Sequence, residues 1–339
     1  EFCYMDIIML KKLFYLVTLS LLVCSTLYAG SKKPVWISKP YSQYPANRYL
    51  CSVGMASDLK SAQNDALKNI AGFFETRVTA VTKSMESEST SASGSQINSS
   101  ISTSVKAISA GTLKYTEIKE TWQDPKSKTF YALAVLDKKA VQAIYEKEIV
   151  ESEDYIANCL FKTEDPLIRF AKINRAINKY LDTQEAFVYH NALASESGSF
   201  LRPAFSLQEL NEMRATAAKE IPVKISVSGD PSAYLETALR NVVRQFGFSE
   251  TKINENTEFE LSATLETEPQ KTIGKQIYLP LRINIIFKNG DNLLFSYVDK
   301  TEQGGSTIEE ANSRSIKVLA KNIENKFNKE FTQYLLSLE

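Results

Sequence analysis

Catalysis or metal binding would have to be built from one histidine, four cysteines and a few runs of neighbouring carboxylates. His190 lies in Val188-Tyr189-His190-Asn191 on an expected helix. A histidine acting as acid or base needs a positioned nucleophile and an orienting carboxylate, and no pattern here supplies them, so His190 reads as a surface or helix-capping residue. Zinc requires several His or Cys ligands at close spacing, whereas Cys51 and Cys159 each stand alone. Glu151, Glu153 and Asp154, like Glu309-Glu310, could do glycosidase-type work in principle. They sit on charge-rich expected helices and read as solvated faces. Gly274-Lys275 and Gly304-Gly305 lack the spacing of a phosphate loop and read as turns. No G-x-S-x-G elbow occurs. The expectation is a protein with no catalytic, cofactor or metal site and no enzymatic activity.

Cys24 carries a different chemistry. Reading from Met9 as the start, two cations (Lys11, Lys12) precede an apolar run from Leu13 to Val23, followed by Cys24-Ser25-Thr26-Leu27-Tyr28-Ala29-Gly30. That order matches a secretory signal peptide. A run of about 11 residues is short of the ~20 that a membrane-spanning helix needs. Residues 1–8 read as upstream translated sequence. Two processing routes compete: Leu21-Leu22-Val23-Cys24 resembles a lipobox, and Leu27-Tyr28-Ala29 an ordinary peptidase site. Val23 is bulky where a lipobox places a small residue, so cleavage between Ala29 and Gly30 is favoured over lipidation of Cys24. Either route exports the chain to the periplasm, the outer membrane or the cell surface.

Removal of the leader leaves Cys51 and Cys159, which an oxidising compartment could pair, although apolar surroundings equally suit two buried thiols. Lys+Arg and Asp+Glu number 40 each, so there is no basic surplus for a nucleic acid, and self-association meets little repulsion. The 16 tyrosines and 17 phenylalanines read as core. Trp36 is the exception: in Pro34-Val35-Trp36-Ile37-Ser38-Lys39-Pro40 it must either dock on its own domain or present a surface anchor for a partner.

The elements follow from periodicity. The proline-bracketed segment reads as extended and lying across a domain. Tyr49 to Gly54 reads as a strand ending in a glycine turn, and Asp58 as the cap of a helix whose apolar face is Leu59, Ala62, Ala66, Ile70, Phe73 and Phe74. A Ser/Thr-rich insertion (84–110) combines a loop near 87–95 with a polar helix, or is one mobile partner-binding loop. Two alternating phases, Leu113 and Tyr115, then Ile118 and Trp122, place a bulge near Thr116. Phe130 to Leu136, apolar on both faces, marks a central strand. Asp165-Pro166 opens a helix with the stripe Ile168, Ala171, Ile173, Ala176, Ile177, Tyr180 and Leu181, Ser195 to Ser199 reads as a loop, and Ser206 to Glu209 is a capping-box signature. Further on come a strand from Val223 to Val227, a helix from Tyr234 to Phe246 closed by Gly247, and two alternating strands ending at an Asn289-Gly290 hairpin. A long last helix then carries Ile308, Ala311, Ile316, Leu319, Ile323, Phe327 and Leu335.

The expected fold is α+β: after the cleaved segment (1–29), an N-terminal sheet-plus-helix domain (30–145), a helical connector (146–220) and a C-terminal sheet-plus-helix domain (221–339). Pro34-Val35-Trp36-Ile37, Tyr49 through Gly54 with Ala56, Ala62, Ala66 and Ile70, and Trp122 followed by Tyr131 to Val135 resemble the Lpp-twenty lipoprotein family and the related N-terminal domain of flagellar assembly protein T. The resemblance spans roughly residues 34–145. It implies an envelope protein, often an outer-membrane lipoprotein, without enzymatic chemistry. The function expected is a structural or protein-interaction module of flagellar, secretion or cell-wall accessory type. Its partners would be envelope proteins or further copies of itself, with outer-membrane attachment through lipid if the Cys24 route is the one taken. An adhesin or ligand-binding protein is the second reading, and an unrecognised hydrolase with dispersed carboxylates the third.

Overall fold

The computed structural model describes residues 32–88, 115–194, 200–251 and 258–339. The leader, with Lys11, Lys12, Cys24, Ala29 and Gly30, lies outside the described residues, as do nearly all of the Ser/Thr-rich insertion and the 195–199 loop. The fold is α+β, in two compact units. The first comprises residues up to 146 together with 185–201, and the second 147–184 together with 202–339. The stretch 146–220, read as a connector, is therefore apportioned between the units.

The first unit is built on three antiparallel strands, β1 (Tyr49–Ala56), β2 (Thr116–Gln123) and β3 (Phe130–Asp137), in the order β1-β3-β2. Helix α1 (Leu59–Glu88) covers one face. Asp58 starts it, its carboxylate accepting from the Ser61 amide at 2.9 Å. Ala62, Ala66, Ile70, Phe74 and Val78 point inward at four-residue steps, whereas Leu59 and Phe73, expected on that face, are exposed, Leu59 as the first residue of the helix and Phe73 to one side of the stripe. Gly54 does not end its strand. It sits within β1, where an added Cβ would lie 2.2 Å from the Ala66 amide nitrogen, so glycine here permits close packing of helix on strand.

The bulge in β2 falls between Ile118 and Glu120, a few residues later than the spacing suggests. Its extra residue, Lys119, sends Ile118 to the α1 face and Trp122 to the opposite one, although both carry even numbers. Lys128, with φ 59°, closes the turn into β3. Asp137 ends β3 and its carboxylate accepts from the Ala140 amide at 3.2 Å, starting α2 (Lys138–Cys159). The Arg48 guanidinium, 2.7 Å away, holds that carboxyl below its ordinary range.

Helix α3 (Pro166–Leu193) opens as expected, the Asp165 carboxylate accepting from the amides of Leu167 and Ile168. Helix α4 (Leu207–Lys219) has its full capping box between Ser206 and Glu209. The second unit then forms a mixed sheet from β4 (Pro222–Ser228), β5 (Ser249–Glu250), β6 (Phe259–Thr267), β7 (Lys271–Ile273), β8 (Gln276–Asn289) and β9 (Asn292–Gly305). Strand β4 runs parallel to β5 and β6, whereas β8 runs antiparallel to β6, β7 and β9. Helix α5 (Tyr234–Phe246) ends at Gly247, whose φ of 77° is the left-handed cap the sequence suggests.

The β8–β9 loop is Gly290-Asp291, because Asn289 pairs with Asn292 and stays in the strand. Gly304-Gly305 are not a turn: they finish β9, with Tyr278 facing Gly304 and the Gly305 backbone pressed against the Ala311 amide. The final helical segment is interrupted. Helix α6 (Ile308–Asn322) passes through one π turn (Ile323–Phe327) into α7 (Asn328–Ser337). Ile308, expected in the core, is exposed, while Phe331, on the far side of the π turn, is fully buried.

Candidate functional site

The second face of the three-stranded sheet is where the residues singled out by sequence meet. Val35, Trp36 and Ile37 form a short 3-10 turn rather than an extended run, with the Ser38 and Lys39 amides donating to the Val35 carbonyl. The turn swings Trp36 onto the sheet, where it is 4% exposed among Cys51, Leu133 and Val135. Of the two roles open to Trp36, docking on its own domain is the one observed. As a surface anchor it is corrected, because its indole is covered. Tyr44 and Tyr49 meet edge-on at 5.3 Å, and Trp122 and Tyr131 at 5.6 Å, extending the aromatic face on both sides.

Cys51 sits at the centre of this face, 7% exposed, and burial pushes its thiol up to about 11. Its amide donates to the Tyr41 hydroxyl at 3.4 Å. Along the same strand the Met55 amide donates to the Asp65 carboxylate at 3.0 Å, and Asn69 donates to the Val53 carbonyl at 3.5 Å. Side chains thus occupy the outward-facing backbone groups of edge strand β1. Cys51 and Cys159 are both free and buried, so the candidate disulfide is not formed. Cys51 packs as a small apolar side chain among Trp36, Leu133 and Val135.

The other candidates are occupied structurally. His190 Nδ1 lies 3.3 Å from the Asn191 side-chain oxygen, and its backbone carbonyl accepts from Gln142 at 3.3 Å. Asn191, missed from the sequence, is 1% exposed and holds both the amide and the carbonyl of Leu201 at 2.9 Å. A lone Asn in an apolar stretch was the available signal. Glu153 accepts from the Ala204 amide at 2.7 Å, and Glu310 from the Ser306 amide and hydroxyl at 2.7 and 2.6 Å. Those hydrogen bonds and Arg314 hold the Glu310 carboxyl below its usual range. Among the described residues no group of three His, Cys, Asp or Glu could hold a metal ion, and no helix is long and apolar enough to cross a membrane.

Residues 34–137 match the model of the LPP20 lipoprotein family. They run from the proline before Trp36 to the aspartate that ends β3, and so carry both faces of the three-stranded sheet. No curated protein sequence matches the chain. Among solved structures it is similar to the secreted protein HP1454 from Helicobacter pylori, with 11% identity over 84% of this chain and 97% of that one and a TM-score of 0.40. It is also similar to a minor lipoprotein from Acinetobacter baumannii, with 14% identity over 34% of this chain and 91% of that one and a TM-score of 0.25. Rare lipoprotein B from Shewanella oneidensis shows 12% identity over 34% and 94% of the two chains, with a TM-score of 0.23. The family likeness of residues 34–137 is to lipoproteins.

Proposed function

We propose, from the match of residues 34–137 to a lipoprotein family, that this chain is an exported, noncatalytic envelope protein serving as a structural or protein-interaction module. The observation that carries the reading is that match, because it falls on the unit whose sheet is packed on one face by α1 and on the other by the Trp36 segment. It also bears on the two processing routes. A lipoprotein relationship supports the lipobox at Cys24 over cleavage at Ala29, and with it attachment to the outer membrane through a lipid on Cys24.

The noncatalytic part rests on what Cys51, Glu153, Glu310 and His190 are doing. Cys51 is held as an inert thiol, since its raised pKa leaves almost no thiolate at neutral pH. Glu153 and Glu310 serve as acceptors for loop amides. His190 contributes its backbone to a helix contact.

The test is crosslinking and capture from intact envelopes, with a Cys24→Ala variant beside the wild type. The expected result is that wild type fractionates with the outer membrane and captures specific envelope proteins, or further copies of itself, while the variant moves to the soluble fraction. Capture of nothing beyond abundant background proteins would remove the interaction module from the account.

A further inference from the structure

Among the described residues, the aromatic face of the first unit is only partly covered. Trp36 seals the end near Cys51 and Val135. At the other end Met55, paired with Tyr131 across β1 and β3, is 64% exposed, and Tyr131 and Trp122 are half-buried beside it. The chain enters the domain over this end: the Lys33 ammonium stands 5.8 Å from the centre of the Tyr131 ring, and Val35, two residues on, is 62% exposed. Lys32 and Lys33 are both exposed.

We propose that this end, centred on Met55, Tyr131 and Trp122 and flanked by Lys32 and Lys33, rests on an anionic phospholipid surface. The first argument is chain length. Lys33 follows Cys24 by nine residues, which span at most about 30 Å when fully extended. An acyl chain on Cys24 therefore keeps Tyr131 within that distance of the bilayer. The second argument is chemistry. Tyr and Trp present an apolar ring with a polar edge, the composition of the membrane–water boundary, and lysines beside them meet acidic headgroups. An apolar surface with adjoining cations supplies the second attachment that accompanies a lipid chain. Of the carboxylates at this end, Asp65 accepts from the Met55 amide and Asp124, in the turn after β2, from the Lys126 amide.

The inference rests on the Cys24 reading for its distance argument, but its test does not. The chain has two tryptophans, so Trp36→Phe leaves Trp122 as the only emitter. The purified protein is added to vesicles of phosphatidylethanolamine and phosphatidylglycerol whose acyl chains are brominated. Trp122 emission shifts to the blue and is quenched, and Met55→Glu abolishes both effects. The same comparison in the two-tryptophan chain gives the same difference, because Trp36 is buried, which covers a Trp36→Phe variant that fails to fold. Emission unchanged by brominated lipid overturns the proposal, as does quenching that survives Met55→Glu. Loss of an envelope-protein crosslink in Met55→Glu without any quenching in wild type overturns it in favour of a protein partner. Quenching by a chain whose mass begins at Gly30 leaves the surface standing and removes only the lipid.

Discussion

Gly54 and Gly72 carry opposite expectations although both touch α1. At Gly54 an added Cβ would meet backbone atoms of Ala62 and Ala66, at 2.3 and 2.2 Å, which no rotamer can relieve. Gly54→Ala is expected to cost about 2–3 kcal/mol through overpacking, read as a lowered thermal midpoint. At Gly72 nothing lies within 4 Å, and the helix interior favours alanine by about 1 kcal/mol, so Gly72→Ala is expected to raise the same midpoint. The sequence places a glycine at the end of an apolar run but cannot say what approaches it. That is why Gly54 reads as a turn until the alanine-lined helix is seen lying on it. Cys51 gives a second expectation at this scale. Its folded thiol titrates near 11 against an ordinary 9.0, so the unfolded chain releases a proton first as pH rises. Stability from this group is complete below pH 9.0, falls as pH climbs toward 11 and levels beyond. The check is the denaturant midpoint of wild type against Cys51→Ala across that window. A difference that does not change with pH contradicts it.

Elements were most legible where a local rule decides them. The Ser206–Glu209 box, the Asp165 cap and the Gly247 terminus depend on a few adjacent residues, and all three stand where the sequence puts them. Ser206→Ala is expected to cost about 1 kcal/mol, because it orphans the Glu209 amide and removes the hydroxyl that donates to the Glu209 carboxylate, leaving that carboxylate only the residue-206 amide. A matched denaturant titration measures it. Legibility fell where partners distant in sequence decide. The bulge in β2 is fixed by register against β3, so the phase change in the sequence locates it only to within a few residues. The π turn at Ile323–Phe327 rephases the last helix, bringing Phe331 inward, and no propensity in that segment announces it. Asn191 belongs here too. Its two bonds reach Leu201, ten residues on in the chain, and Asn191→Ala is expected to cost about 1–3 kcal/mol by leaving part-buried backbone groups without those partners. Native hydrogen exchange at the Leu201 amide would rise, and unchanged protection there would contradict the role assigned.

At the scale of the molecule, α+β architecture was readable from the alternation of strand and helix periods, and the family likeness from short motifs around Trp36, Gly54 and Tyr131. The division of the chain was less so. Helices α2 and α3 each contribute residues to both units, and a pattern of apolar stripes does not reveal which unit a stripe serves. The chemistry-capable residues were legible as an inventory, but their structural employment depends on burial and on hydrogen bonds to remote backbone groups. The central proposal is an exported envelope protein attached through Cys24, and the mass of the mature protein isolated from envelopes tests it most directly. The account predicts a chain that begins at Cys24 and carries a lipid modification, recovered with the outer membrane. A chain that begins at Gly30 contradicts the attachment, and one that retains Lys11 and Lys12 and is recovered from the cytoplasm contradicts export as well.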